Sequence, residues 1–111
     1  MKQRRDYTRT KGRLMVRFGL SGPERTAFTM NLSLTGAFIR TNSVFKPGTT
    51  IQTEFEFPDQ QKFTLWAQVV WAKRVPPELA HTLACGMGVR FVNPGDDWQE
   101  FFKDWQAKKG L

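Results

Sequence analysis

The sequence feature that most constrains the fold is an alternation over positions 51–57 between Gln or Glu and side chains that are apolar or, at Thr53, β-branched. Ile51, Thr53, Phe55 and Phe57 hold the odd positions, and the even positions carry glutamine or glutamate. Successive side chains of a β-strand point to opposite faces of its sheet. The alternation therefore predicts a strand with one buried and one solvated face, which is typical of antiparallel sheets.

The same period of two recurs in five further segments, so six strands are predicted in all. These segments are 13–18, 26–30, 37–41, 62–74 and 83–91, and turn-forming residues separate them. The side chains expected on their buried faces are Leu14, Val16, Phe18, Phe28, Met30, Phe63, Leu65, Ala67, Val69, Trp71, Leu83, Cys85, Met87, Val89 and Phe91.

The period changes at the C-terminus. Four large aromatic residues follow one another at the spacing of a single helix face: Trp98, Phe101, Phe102 and Trp105. The predicted helix spans about residues 96–109, with Asp96 or Asp97 as its N-cap. Such a stripe more often covers a barrel end or sheet face than forms a cofactor site. The sequence thus predicts an all-β fold over 13–111, a six-stranded antiparallel β-barrel closed by a C-terminal α-helix.

Positive charge is concentrated near the N-terminus. The net charge is +7, and the first seventeen residues contain seven lysines and arginines against one aspartate. Residues 1–12 are predicted to form a flexible arginine-rich arm that attracts an anionic partner. Arg5 and Arg9 point to the same side of the arm wherever it is extended. The alternative is a disordered basic tail without a binding role.

Several function classes find no support in the sequence. No apolar run approaches the roughly 18 residues of a membrane span, and a single cysteine fits a reducing cytoplasm, which is the predicted location. His81 has no partner at metal-ligand spacing, and Cys85 falls on the apolar face of its strand as buried filler. No glycine-rich phosphate loop opens a helix. We therefore predict neither an enzyme nor a bound cofactor or metal.

A polar bend is predicted between the second and third strands, at residues 31–36. Asn31 and Ser33 have equal parity and place compact donors and acceptors on one side. Gly36 allows a positive φ or a close approach to the backbone. Considered alone, the segment can be a capped turn or part of a ligand site.

The two polar stretches together resemble the motifs of the PilZ domain family, the bacterial receptors for cyclic di-GMP. The first stretch reads Arg5-x-x-x-Arg9, and the second reads Asn31-x-Ser33-x-x-Gly36, with Asn31 placed 22 positions after Arg9. Val70-Trp71 and the segment at 86–91 are also similar to recurring PilZ segments. The resemblance covers nearly the whole chain and implies a six-stranded antiparallel barrel.

The resemblance also implies a site for cyclic di-GMP. The residues matched to it are Arg4, Arg5, Arg9, Asn31, Ser33 and Gly36, with Trp71 and Arg40 as additional candidates. Arg4 is similar to the residue of family members in which two ligand molecules stack. An arginine fork fits the O6 and N7 acceptors of guanine, and an Asn carbonyl or Ser hydroxyl can accept from the opposite edge. For Trp71, core packing is the alternative to a ligand contact.

The predicted function is that of an effector that changes conformation on binding cyclic di-GMP and signals to a protein partner controlling motility, pili or exopolysaccharide. One alternative is a small basic barrel that binds RNA or single-stranded DNA, although confinement of the charge to one end argues against a nucleic acid polymer. Another is a PilZ-like adaptor that has lost its ligand.

Overall fold

The computed structural model describes residues 10–11, 14–22, 24–79 and 85–109. About half of these residues form strands, and the last fifteen form one helix. In chain order the elements are β1 (Thr10–Lys11), β2 (Met15–Gly19), β3 (Arg25–Leu32), β4 (Gly36–Arg40), β5 (Thr50–Glu56), β6 (Lys62–Lys73), a short 3-10 helix (Pro77–Leu79), β7 (Gly86–Phe91) and α1 (Gly95–Lys109).

Six of the strands close into a barrel. They are hydrogen-bonded in the order β3-β2-β5-β6-β7-β4, every pairing is antiparallel, and β4 pairs back onto β3. The predicted six-stranded antiparallel barrel with a C-terminal helix is confirmed. The short strand β1 pairs with the end of β3, with Thr10 opposite Leu32 and Lys11 opposite Asn31. β1 and β2 therefore follow one another along the same edge of β3.

The barrel is filled by the side chains that alternate inward along each strand. The inward residues of β5 are buried as predicted, and so are those of β2 and β7 within the described residues. Cys85 is also buried, as expected for a small core side chain. The fully buried core phenylalanines are Phe18, Phe55, Phe57 and Phe102. Each such ring contributes about 1.5–3 kcal/mol on leaving water, which is the main stabilising term of a domain this small.

The helix α1 closes one end of the barrel, as predicted. Trp98 is 1% exposed, and its ring centroid lies 5.5 Å from those of Phe63 and Phe91. Phe101 and Trp105 contact Phe57 edge to face at 4.7 and 5.0 Å. The helix begins at Gly95, so the two aspartates predicted as alternative N-caps lie within its first turn. At this position their negative carboxylates interact favourably with the positive N-terminal end of the helix dipole.

One prediction for β3 is wrong. Phe28 and Met30 were expected on the buried face, but Phe28 is 39% exposed and Met30 also lies on the outside. The inward residues are Ala27 and Thr29, and the buried Thr29 hydroxyl accepts a hydrogen bond from the Leu14 amide at 3.2 Å. A small residue and a hydrogen-bonded threonine fill this side of the barrel, so the larger apolar side chains form part of its outer surface.

Candidate functional site

The turn between β3 and β4 is held together by the Ser33 side chain, which is 1% exposed. Its Oγ accepts hydrogen bonds from the amides of Thr35 and Gly36 at 3.3 and 3.2 Å, and donates to the Gly36 carbonyl at 3.2 Å. The Ser33 amide donates to the same carbonyl at 2.8 Å. One small polar side chain and the neighbouring backbone groups thus form a tight capped turn.

The helix α1 and the strand β7 both anchor this turn. The Leu34 carbonyl accepts a hydrogen bond from Nε1 of Trp98 at 3.0 Å, and the Thr35 carbonyl accepts one from the Phe91 amide at 2.8 Å. A Cβ on Gly36 would lie 2.3 Å from the carbonyl oxygen of Val89, a distance that no side chain tolerates. Gly36 therefore allows β4 to approach β7, and the turn is fixed to the end of the barrel.

Beside the turn, a groove of about 500 Å³ crosses the outer face of β3, β4, β7 and β6. This volume lies in the range of about 300–1,000 Å³ that is typical of small-molecule sites. The outward side chains that line the groove are Met30, Asn31, Thr35, Phe38, Val70, Trp71 and Arg90.

An aromatic platform forms the floor of the groove. Phe38 of β4 and Trp71 of β6 both pair with Gly88 of β7, and their rings stack across it with centroids 5.2 Å apart and planes inclined by 17°. A Cβ on Gly88 would lie 2.3 Å from Nε1 of Trp71, so the stack requires glycine at this position. Trp71 remains 47% exposed. Its open face can stack on a planar ligand such as a purine.

Polar side chains form the rim. Asn31 is half-buried beside the platform, and Thr35 is exposed at the end of the turn. Arg90 is the one charged side chain that the described residues contribute to the lining, and its Nη2 donates to Oε1 of Gln68 at 3.4 Å. This long, exposed hydrogen bond is readily exchanged for a better acceptor. The groove thus offers a stacking surface, an amide, a hydroxyl and one guanidinium.

The predicted site residues fall into three groups. Those that line the groove together are Asn31, Gly36 and Trp71. Two others do not line it: the Ser33 side chain is buried within the turn, and Arg40 is exposed at the end of β4. The arginines of the predicted arm lie outside the described residues: Arg4, Arg5 and Arg9. Asn31 belongs to β3 rather than to the bend, because the strand continues to Leu32.

The prediction that Trp71 belongs to the buried stripe of β6 is wrong. Val69 pairs with Val89, but Gly88 pairs with Trp71, so two residues of β6 stand opposite one of β7. This β-bulge reverses the alternation, and both Val70 and Trp71 point outward. Bulges are known to redirect side chains next to functional sites.

Phe38 and Arg90 were not among the predicted site residues. The sequence does contain a signal for them, because Gly86, Gly88 and Arg90 share one parity of a strand whose other positions are apolar. Glycines on the outer face of a strand mark places where another group approaches the backbone closely. Here Phe38 and Trp71 approach at Gly88, and Arg90 continues the same face.

The sequence model of the PilZ domain family matches residues 3–101 of this chain. The chain belongs to the PilZ domain family. PilZ domains typically act as receptors for cyclic di-GMP and are non-catalytic, so this PilZ domain is not an enzyme. Within the described residues, no three histidine, cysteine, aspartate or glutamate side chains gather as metal ligands. None of the described helices has the length and apolarity to cross a membrane.

Solved structures show the same fold. The inhibitor of motility MotI/DgrA from Bacillus subtilis superposes with a TM-score of 0.79 at 18% identity over 96% of this PilZ domain. The match covers 51% of MotI/DgrA, so the chain spans about half the length of that protein. The PilZ domain of YcgR from Escherichia coli, solved with c-di-GMP, gives a TM-score of 0.63 at 20% identity and covers 96% of both chains. No curated protein matches the sequence.

The Gly88→Ala substitution tests the aromatic platform of this PilZ domain. The new Cβ would displace the Trp71 indole from its stack on Phe38, because it would occupy the space of Nε1. We expect the Trp71 indole N–H resonance to shift. The affinity for cyclic di-GMP should fall by about tenfold, because one stacking contact is worth about 1–3 kcal/mol. In a Trp71→Ala background the Gly88→Ala substitution should weaken binding little further, because both substitutions remove the same stacking contact in this double-mutant cycle. Additive losses would contradict the platform.

Proposed function

We propose that this PilZ domain binds cyclic di-GMP in the groove beside the Ser33 turn and passes the signal to a protein partner. The observation that carries the proposal is the junction of β1 with β3. Lys11 is paired with Asn31 at the groove, and the chain that enters β1 is the predicted arm with Arg4, Arg5 and Arg9. In this proposal the first motif stretch, which directly precedes β1 in the sequence, reaches the second motif stretch from this junction.

The chemistry of the groove suits one part of this ligand. A guanine base can stack on the Trp71 face, and Asn31 and Thr35 offer oxygens that can accept from its N1–H and N2–H edge. Arg90 can turn from Gln68 toward the O6 and N7 acceptors of a guanine, which arginine meets with two hydrogen bonds. The base is recognised by groups that the barrel holds in position.

The phosphates require a second source of charge. Cyclic di-GMP carries two phosphates, and among the described residues lining the groove only Arg90 is charged. We assign the missing charge to Arg4, Arg5 and Arg9 of the arm, which can form charge-assisted, bidentate hydrogen bonds with phosphate oxygens. In this proposal the part of the arm that precedes β1 becomes ordered across the groove when the ligand binds and remakes one surface of the barrel, as in other disorder-to-order switches. A partner protein then reads that surface.

The identity of the output is proposed from the structural relatives. MotI/DgrA is named as an inhibitor of motility. On this basis we propose that the PilZ domain acts as an adaptor in the cytoplasm and controls motility, pili or exopolysaccharide.

Calorimetric titration of the full chain with cyclic di-GMP tests the proposal directly. We expect saturable heat, together with slower amide hydrogen exchange over residues 1–12 when the ligand is bound. The logarithm of the affinity should fall with the logarithm of the salt concentration at a slope of about one or two, because only two phosphates are neutralised. Absence of heat at millimolar ligand would reject the function. A much steeper salt slope with oligonucleotides, and tighter binding to them, would favour the RNA or single-stranded DNA alternative.

A further inference from the structure

A second concave site lies at the end of the barrel opposite α1, between the β4–β5 connection and the end of β6. It has a volume of about 330 Å³ and is lined by Arg25, Asn42, Ser43, Val44, Phe45 and Arg74. None of these residues lines the groove of the proposed cyclic di-GMP site. We propose that this pocket binds an acidic segment of a partner protein and that its arginines contact the carboxylates of that segment.

Arg25 is held in position within this pocket. Its Nη1 donates to Oγ of Ser43 at 3.0 Å, and its guanidinium carbon lies 5.9 Å from the centroid of the Phe45 ring. Phe45 in turn contacts the buried Phe18 edge to face at 6.2 Å. The Ser43 amide donates to Oγ1 of Thr41 at 2.9 Å. A guanidinium that is already oriented loses less side-chain entropy when it binds an anion.

The pocket has an excess of positive charge. Arg25 and Arg74 both line it, and the described residues of its lining include no acidic side chain. Within the described part of the chain, neither guanidinium has a carboxylate oxygen within 4.0 Å, and the ion pairs found there join other residues, Arg17 with Glu54 and Lys108 with Asp104. Two like charges that share a partly enclosed polar site repel each other, and a bound anion relieves that repulsion. The pocket is therefore complementary to an anionic group.

The surroundings favour a protein carboxylate over a nucleic acid. Phe45 is engaged with Arg25 and with Phe18, so it offers a base no open stacking platform like that at Trp71. Glu24 directly precedes Arg25, and Glu78 follows Arg74 by four positions, so neither arginine belongs to a continuous run of cations of the kind that follows a polyphosphate. Arginine forks bind carboxylates bidentately, and the neutral side chains of the pocket can hydrogen-bond to a peptide backbone.

The inference can be tested by NMR on the isotopically labelled full chain, with a blocked hexaglutamate peptide as the probe. We expect saturable shifts of the Arg25 and Arg74 side-chain Nε–H resonances and of the Ser43 amide. The Arg25→Gln/Arg74→Gln double variant should weaken binding by about tenfold or more, since each lost bond involves a charged group. Hexaglutamine, inorganic phosphate and an oligothymidylate serve as comparison ligands.

Two control variants make the result decisive. Arg17→Gln removes the same kind of charge from an exposed arginine of β2 that is paired with Glu54, and it should change affinity by about twofold or less. Ser43→Ala keeps both charges but releases Arg25, and it should weaken binding by about threefold through lost orientation. Ser43→Ala decides the question if the double variant does not fold.

Three results would overturn the inference. They are the absence of saturable shifts with hexaglutamate, an equal loss of affinity in the Arg17→Gln variant, and tighter binding of phosphate or oligothymidylate than of the acidic peptide. None of these outcomes bears on cyclic di-GMP binding, which is measured separately on the same variants.

Discussion

The Arg5→Ala/Arg9→Ala double variant is expected to lose at least about a hundredfold in affinity for cyclic di-GMP. A hydrogen bond to a charged group contributes about 1.5–3 kcal/mol, so removing two arginines removes about 3 kcal/mol or more. The loss should be large because Arg90 is the one charged residue that the described part of the groove supplies. Calorimetric titration of the variant beside the wild-type chain measures it.

The matched control is the Lys62→Ala/Lys73→Ala variant. These two lysines are exposed at opposite ends of β6 and lie outside the groove lining, so the variant removes the same total charge from elsewhere on the barrel. We expect its affinity to change by about threefold or less at physiological salt, because neither lysine lines the groove and salt screens exposed charges. Equal losses of affinity in both variants would mean that the net charge attracts the ligand and that Arg5 and Arg9 make no specific hydrogen bonds to it.

The Trp98→Ala substitution is expected to lower the free energy of unfolding by about 3–5 kcal/mol. The indole is 1% exposed and contacts Phe55, Phe63, Phe91 and Phe102, so its removal opens a cavity where α1 meets the barrel. A typical domain has about 5–15 kcal/mol of stability, so the variant would be close to unfolding. Urea denaturation followed by far-ultraviolet circular dichroism gives the change.

Trp66→Ala is the control for this prediction. Trp66 is 50% exposed on β6, so the same chemical change there should lower stability by about 1 kcal/mol or less. Trp98→Phe adds a second measurement, because it keeps an aromatic ring but removes the donor to the Leu34 carbonyl, and it should show a loss of at least about 1 kcal/mol. Similar stabilities for the Trp98→Ala and Trp66→Ala variants would refute the role of α1 as the cover of the core.

The fold could be predicted from the sequence because burial and strand geometry share one period. Inward residues such as Val16, Ile51 and Phe55 are zero per cent exposed where alternation places them. The same logic failed at Trp71, because a bulge adds one residue to β6 and no change in hydrophobicity accompanies it. It failed at Phe28 because a large apolar side chain was assumed to be internal, whereas the outer surface of a barrel also carries such groups.

The site could be predicted only in part. Asn31 and Gly36 lie in one groove because a short turn joins their strands, and short turns keep neighbours in sequence close in space. The contribution of Phe38 and Arg90 depends on the pairing of β4 with β7, which are far apart in the chain. Pairing partners at that separation are not encoded in any local pattern. The assignment of Arg5 and Arg9 rests on the motif resemblance and is tested by the titrations above.

Closure of the barrel restricts how this PilZ domain can deliver a signal. Each of its six barrel strands is hydrogen-bonded to a neighbour on both sides. The proposed partner would therefore find no barrel strand with a wholly open edge, the feature that docking by strand addition requires. We expect recognition through side chains on the outer wall and the two ends, where single substitutions should separate one output from another without disturbing the scaffold.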